Sequence, residues 1–157
     1  MKTLIIGYGS PIRGDDAIGP LVADHFARCE LPPGVSALSR HILTAELVAD
    51  LAAQERVIFV DAAIDAAPGE VRCQRLTPNG DTLSSMAHFL NPQELLAWCA
   101  ALYGRVPESF LISAGGASFD YANYQLSPLA QQAFTQMVAQ VQQLFIADGD
   151  GLNETAF

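Results

Sequence analysis

Hydrophobic positions along the chain follow two different spacings, and these spacings predict strands and helices in alternation. Short apolar runs rich in β-branched residues predict five strands, near residues 2–7, 35–39, 57–63, 70–76 and 109–114. Apolar residues three and four positions apart predict four helices, near residues 18–26, 44–51, 92–102 and 128–145. The order βαβαββαβα predicts an α/β fold: a three-layer α/β/α sandwich on a mostly parallel sheet of about five strands.

One strand of this sheet is predicted to be antiparallel. Residues 70–76 follow residues 57–63 after a short segment that contains Pro68 and Gly69, and this segment is too short for a crossover helix. The strand should therefore lie at an edge of the sheet. The chain length suits one domain, predicted over residues 1–147, with a polar, glycine-containing and flexible tail at residues 148–157.

Three helix starts carry recognisable signals. Asn91, Pro92 and Glu94 have the order of a cap, a first-turn proline and an acid at the third position. Thr44 is a plausible cap for the second helix, and Ser127 precedes the last one. The residues of the last helix predicted to face the core are Leu129, Phe134, Met137, Val138, Val141, Leu144 and Phe145.

The loop at residues 7–20, GYGSPIRGDDAIGP, joins the first strand to the first helix. Such turns open at the carboxyl ends of the strands, where α/β proteins usually bind ligands. Gly9 and Gly14 have the spacing of a phosphate loop, but acids stand where its Lys and Ser/Thr would be. A dinucleotide fingerprint fails as well, because its third glycine would fall at Ile12. The loop therefore does not predict nucleotide binding.

The loop presents two adjacent acids, Asp15 and Asp16. Either can cap the helix that follows, and Asp15 is the candidate for that role. Because one cap needs one acid, the second is free to point into the crevice, where an oxygen ligand suits a divalent metal or a cationic group.

Two further polar residues are predicted near the same edge. Asp61 ends the apolar run of the third strand, where an unpaired buried carboxylate would be costly, so it serves either a loop hydrogen bond or a ligand. Asp65 nearby is predicted to be a turn residue. His88 precedes the helix that starts at Asn91. Two carboxylates and an imidazole suit a borderline divalent ion such as nickel or zinc, although the spacing alone is not specific.

Other catalytic motifs are missing, since the sequence contains neither H-E-x-x-H nor G-x-S-x-G. The formal charge of −9 argues against nucleic acid and anionic membranes as partners. A strand-length apolar N-terminus without a signal peptide, and the lack of any apolar stretch of about 18 residues, predict a cytoplasmic protein. Cys29, Cys73 and Cys99 lack metal-site spacing and are predicted to be buried thiols.

The loop pattern resembles the N-terminal signature of the hydrogenase maturation endopeptidases, which process the large subunit of nickel–iron hydrogenases. The residues that carry it are Gly7, Gly9, Ser10, Asp15, Asp16 and Gly19. The similarity continues through VIFVDAA, SMAHFLNP and ISAGGASFD to the start of the last helix. Ser10 stands where the family more often has Asn, and Asp16 where many relatives have Glu.

The resemblance implies a peptidase whose catalytic and metal-contacting residues are Asp16, Asp61 and His88. It implies that the nickel is supplied by the substrate, a loaded large-subunit precursor, and that the protein holds no tightly bound cofactor of its own. Removal of a short C-terminal extension from the precursor would then let the subunit close over its metal centre.

One segment departs from the common family pattern. HILTAEL, beginning at His41, replaces a glycine-rich loop, and this form resembles the subgroup that serves cytoplasmic, NAD(P)-linked bidirectional hydrogenases. His41 and Thr44 are candidate substrate contacts. Gly115 and Gly116 are further candidates, because paired glycines allow a tight turn or a close ligand approach.

Two other functions use the same residues. A non-hydrolytic metal-binding or metal-sensing module would bind nickel tightly in isolation, whereas a reader of the substrate's metal would not. A small-molecule hydrolase would act on model esters or peptides without a partner protein.

Overall fold

The structure, a computed structural model, describes residues 1–79, 90–122 and 125–149, with the side chains of the last helix described as far as residue 145. Its strands are β1 (Thr3–Tyr8), β2 (Val35–Arg40), β3 (Arg56–Pro68), β4 (Val71–Leu76) and β5 (Glu108–Gly115). Its α-helices are α1 (Ile18–Ala27), α2 (Leu47–Ala52), α3 (Pro92–Tyr103) and α4 (Pro128–Gly149). A short 3-10 helix at Gly14–Ala17 precedes α1.

The five strands form one sheet in the order β2-β1-β3-β5-β4. All neighbours are parallel except β4, which lies at the edge and runs antiparallel to β5. The prediction of a mostly parallel sheet with one antiparallel edge strand is confirmed. The strand order reverses at β1, since β2 and β3 lie on its two sides, and such a switch point opens a crevice at the carboxyl ends of β1 and β3.

Helices cover both faces of the sheet, which confirms the three-layer prediction. Alternate residues of β1 point to opposite faces: Ile5 packs with α1 and α4, while Leu4 and Ile6 pack with α2 and α3. The helices α1 and α2 therefore enclose the switch point from opposite sides. Among the described residues, no helix is both long and apolar enough to cross a bilayer.

The third strand is longer than predicted. It continues beyond Asp61 to Pro68, although its pairing with β1 ends at Val60. Past that point, among the described strands, β3 pairs only with β5. Gly115 is the partner of both Ala63 and Pro68, so residues 64–67 form a bulge. Local propensity could not show this extension, because pairing with the distant strand β5 sustains it. The 64–67 bulge also corrects the prediction of a turn at Asp65, whose carboxylate lies 3.6 Å from Arg72.

The second helix starts later than Thr44 suggested. Helix α2 begins at Leu47 with Glu46 as its cap residue, and no side chain caps it. The Thr44 hydroxyl instead donates to the Glu46 carboxylate at 3.2 Å.

The last helix presents a slightly different face from the predicted one. Ala130, Ala133, Met137 and Val141 are fully buried, whereas Leu129 is exposed. Two small alanines line the inner face because α4 lies close to the sheet. The helix also continues to Gly149, into the predicted tail, and the rest of that tail lies outside the described residues.

The cysteines differ from the prediction. Cys99 is buried, but Cys29 and Cys73 are exposed, so the prediction of three buried thiols is wrong for two of them.

The predicted start of α3 is confirmed as a capping box. The Asn91 side chain accepts from the backbone N–H of Glu94 at 2.8 Å, and the Glu94 carboxylate accepts from the N–H of Asn91 at 3.3 Å. Asn91→Ala is expected to lower the free energy of unfolding by about 1 kcal/mol, because the N–H of Glu94 loses its acceptor. Urea denaturation followed by circular dichroism measures this change. Asn91→Ser keeps an accepting oxygen and is the control; equal losses in both variants would contradict the capping role.

Candidate active site

Glycines bring the first loop close to the sheet. A Cβ on Gly7 would collide with the carbonyl oxygen of Gly19, and one on Gly19 would lie 2.5 Å from the carbonyl oxygens of Tyr8 and Val60. The backbone at the start of α1 therefore packs directly against the backbone of β1 and β3. Gly9 has a φ of 144°, which L side chains rarely adopt, and a Cβ there would strike the backbone of Asp16. These contacts place the loop acids directly over the carboxyl ends of β1 and β3.

Asp15 ties three segments together rather than capping a helix. Its buried carboxylate accepts from the N–H groups of Ala117 at 2.7 Å, Ser118 at 3.2 Å and Ser127 at 2.8 Å. It also accepts from the Ser127 hydroxyl at 2.7 Å, and that hydroxyl accepts in turn from the N–H of Ala130 in α4. Burial alone would raise the pKa of Asp15, but the hydrogen bonds from Ser127, Ala117 and Ser118 outweigh it and lower the pKa. The predicted cap role for Asp15 is therefore wrong, since no side chain caps α1.

Asp16 is half-buried in the 3-10 helix that precedes α1. Its Oδ2 accepts from the backbone N–H of Ser10 at 2.7 Å, which fixes the orientation of the carboxylate. The donor is a backbone group, so a serine at position 10 provides this bond regardless of its side chain.

Asp61 lies on β3, one residue beyond the last residue that pairs with β1. Its Oδ1 accepts from the N–H of Ala62 at 2.8 Å, and it accepts a further hydrogen bond from the side chain of Tyr8. Burial raises the pKa of the Asp61 carboxyl to about 7, against the hydrogen bonds from Tyr8 and Ala62, and the negative charge of Asp16 raises it further. Asp16 is thus close enough to Asp61 for its charge to disfavour ionisation of the Asp61 carboxyl.

Tyr8 is a member of this site that sequence reasoning missed. It is the last residue of β1. Burial raises the pKa of its hydroxyl most strongly, and the charge of Asp61, the hydrogen bond to Asp61 and the charge of Asp16 raise it further. The available signal was its position, since a side chain with a polar tip at the carboxyl end of a central strand points to the switch point. Tyr8 and Asp61 come from the two strands on either side of that point.

His88 lies outside the described residues. Within residues 1–79, 90–122 and 125–149, no three His, Cys, Asp or Glu side chains form a group that could hold a metal ion. The two acids nevertheless have the chemistry of a partial cation site. Their mutual repulsion and the burial of Asp61 would both be relieved by a positive charge between them.

The proposed substrate contacts lie in loops around this crevice. His41 is exposed and Thr44 half-buried in the segment that follows β2, and the preceding Arg40 accepts through its carbonyl from the N–H of Gly9 at 3.1 Å. This segment is therefore adjacent to the first loop. A role for His41 and Thr44 in substrate contact stays a prediction.

Gly115 and Gly116 each have a packing role. A Cβ on Gly115 would collide with the carbonyl oxygen of Ala67 in the 64–67 bulge. A Cβ on Gly116 would lie 2.5 Å from Cζ of Phe119 and 3.1 Å from Cβ of Asp15. The glycines let the bulge and the first loop approach β5, and their predicted contact with substrate is untested by this packing.

A groove of about 690 Å³ lies beside α1 and the start of α4. His25, Cys29, Leu126 and Phe134 are among the residues that line it, and Cys29 Sγ lies 3.8 Å from Nε2 of His25. Neither Asp16 nor Asp61 lines this groove, so it is distinct from the crevice that the acids occupy.

Several solved structures with a similar fold are hydrogenase maturation peptidases. The endopeptidase HybD from Escherichia coli aligns with a TM-score of 0.77 and 22% identity, over 95% of this chain and 94% of HybD. The hydrogenase 2 maturation peptidase from a Thaumarchaeota archaeon aligns with a TM-score of 0.70 and 28% identity, over 92% and 98%. The nickel–iron hydrogenase maturation protease HycI from Thermococcus kodakarensis aligns with a TM-score of 0.72 and 23% identity, over 92% of each chain. Comparison of the sequence with protein-family models and with curated proteins finds no match.

Proposed function

We propose that this protein is an endopeptidase that removes a short C-terminal extension from the nickel-loaded large-subunit precursor of a nickel–iron hydrogenase. The observation that carries the proposal is that two acids, Asp16 and Asp61, lie near the switch point of the sheet and interact through their charges. The fold shared with the maturation peptidases of Escherichia coli, a Thaumarchaeota archaeon and Thermococcus kodakarensis supports a peptidase. In this proposal the nickel belongs to the substrate, and the protein holds no tightly bound cofactor of its own.

Asp16 and Asp61 would recognise the substrate's nickel, with His88 as the third ligand. The N–H of Ser10 donates to one oxygen of Asp16, and the second oxygen would bind the metal. Tyr8 and Ala62 hold the Asp61 carboxylate in a fixed orientation. Two fixed oxygen donors and an imidazole suit nickel, and the precursor supplies the remaining ligands.

Hydrolysis then needs one water beside the scissile bond. Nickel bound by Asp16 and Asp61 would position the precursor so that its scissile bond lies next to these two acids. The water oxygen would add to the peptide carbonyl carbon, either because a carboxylate takes the proton of the water or because the metal polarises the carbonyl. The C–N bond would then break, and the leaving amine would take up the proton. In both routes recognition and cleavage depend on the same loaded metal, so a precursor without nickel is left uncut.

The segment after β2 supports a narrower proposal. HILTAEL lies beside the first loop, where His41 and Thr44 can meet the substrate. Because this form of the segment replaces the glycine-rich loop of many relatives, we propose that the protein serves a cytoplasmic, NAD(P)-linked bidirectional hydrogenase, with the cytoplasm as its compartment.

The test is the intact mass of a candidate large-subunit precursor, with nickel supplied or withheld, after incubation with the protein. A discrete C-terminal loss is expected only with nickel, and only with a protein that retains Asp16; Asp16→Asn should abolish it. Asp50→Asn, which changes an exposed acid of α2, is the control and should cleave normally. An unchanged mass with a verified, nickel-loaded cognate precursor would contradict the proposal, and tight nickel binding by the isolated protein would then favour a metal-binding module.

A further inference from the structure

Three strongly exposed apolar side chains lie at the end of the sheet that also carries Asp16 and Asp61. Ile12 is 48% exposed in the loop after β1, Tyr121 is 81% exposed after β5, and Ile64 is 87% exposed in the 64–67 bulge of β3. Ile12 and Tyr121 follow the carboxyl ends of β1 and β5, and Ile64 lies in β3 beyond the part of that strand that pairs with β1. We call these three residues the apolar rim.

Ile12 and Tyr121 belong to two loops that are joined by hydrogen bonds. The N–H of Ala122 donates to the carbonyl oxygen of Ile12 at 3.0 Å, and Arg13 and Ala122 form a parallel bridge. Farther along the same loops, the N–H of Asp15 donates to the carbonyl oxygen of Ser118 at 2.8 Å. This backbone pairing fixes the two loops that carry Ile12 and Tyr121 against each other, next to the 3-10 helix that contains Asp16.

Ile64 is displayed by a bulge that is itself fixed. The register of β3 against β5 shifts between Ala63 and Pro68, and the carbonyl of Ala63 accepts from the N–H of Gly116 at 3.3 Å. Ala66 in the same bulge is buried, so the bulge turns one side chain inward and presents Ile64 to solvent. Ile64 lies three residues beyond Asp61 on the same strand.

We propose that the apolar rim is the docking surface for the large-subunit precursor, and this inference rests on the proposed function. Asp16 and Asp61 are half-buried, so a metal bound within a protein reaches them only if that protein also covers the surrounding surface. An acidic centre with exposed apolar side chains at the same end of the sheet complements a cationic metal centre set in apolar protein surface. A free hydrated ion would gain no binding free energy from apolar side chains. The apolar rim therefore favours a protein as the occupant.

The other end of the sheet, where the amino ends of the parallel strands lie, offers matched controls. Leu102, 57% exposed, and Tyr103, 52% exposed, lie at the carboxyl end of α3, which leads into the amino end of β5. They resemble Ile64 and Tyr121 in chemistry and exposure but lie far from the acids along the sheet. Single exposed apolar residues are common on proteins. The informative comparison is therefore between the effects of substitutions at the two ends of the sheet.

The experiment compares Ile64→Ser and Tyr121→Ser with Leu102→Ser and Tyr103→Ser. All four start from exposed side chains, so equal unfolding midpoints are expected and are checked first. With the nickel-loaded precursor, each rim variant should raise KM for cleavage at least tenfold, with a smaller change in kcat. Each rim change should also weaken, at least tenfold, the binding of the precursor to protein that carries Asp16→Asn. Both controls should stay within about twofold of the unmodified protein.

The outcomes separate the two proposals. Normal cleavage with unchanged KM in both rim variants would overturn the docking surface and leave the peptidase proposal intact. Binding that is weakened by the rim changes, without any cleavage by the unmodified protein, would support docking and contradict the peptidase. A loaded precursor that is neither bound nor cut would overturn both.

Discussion

Asp15→Ala is expected to lower the free energy of unfolding by at least about 3 kcal/mol, since three backbone N–H groups and a hydroxyl lose their buried, charged acceptor. Urea denaturation at pH 7 measures the loss. Asp120→Ala removes an exposed acid from the loop after β5 and is the matched control, for which a change under about 0.5 kcal/mol is expected. Equal effects of the two changes would contradict the role of Asp15 in joining the loops.

The contribution of Asp15 should also depend on pH. Its folded pKa is lowered from the usual 3.8, so the stability it provides is present above that value and is lost as the pH falls through the folded pKa. The free energies of unfolding of the unmodified protein and of Asp15→Ala, measured as the pH is lowered, should therefore converge at low pH. A constant difference between them down to pH 2 would show that the charge of Asp15 is not what stabilises the loops.

Asp61→Asn is expected to reduce cleavage of the loaded precursor at least 100-fold and, at the same time, to stabilise the protein at pH 8. The activity falls because a neutral amide is a poor nickel ligand and cannot take a proton. The stability rises because the folded protein no longer has to bury a carboxylate whose pKa is about 7. A gain of about 2 kcal/mol is expected in nickel-free buffer.

The sign of this second effect follows from linkage. The folded pKa of Asp61 lies above the usual 3.8, so its contribution is fully present below 3.8 and is lost as the pH rises to about 7. Unfolding free energies measured between pH 4 and pH 8 should therefore decline more steeply for the unmodified protein than for Asp61→Asn. Asp65→Asn, an exposed acid on the same strand, should leave both activity and this slope unchanged. A less stable Asp61→Asn at pH 8 would contradict the cost of burying Asp61.

Much of the fold was predictable because its signals are local. A few neighbouring apolar residues identify each of the strands β1 and β5. The capping box at Asn91 identifies the start of α3 in the same way. The errors arose where distant partners decide. Pairing with β5 prolongs β3 past Ala63 to Pro68, and close packing of α4 on the sheet turns alanines inward in place of Leu129.

The candidate site shows the same division. The loop pattern and strand ends predicted that Asp16 and Asp61 would lie near each other, and they do interact. The partner of Asp15 was not predictable, since Ser127 is 112 positions away and no local pattern links the two. Tyr8 was missed because a tyrosine at the end of a strand is usually a packing residue, and only the approach of Asp61 gives its hydroxyl a partner.

The ties made by Asp15 also bear on how the protein is synthesised. They join positions 102 to 112 residues apart, and contacts so distant in sequence close large loops and form late. On the ribosome, both loop acids emerge early, but Ser127 and α4 follow only after all five strands. A nascent chain therefore carries the acids long before it has the crevice that orients them. It should reach a working state only once α4 has left the exit tunnel and docked on the sheet.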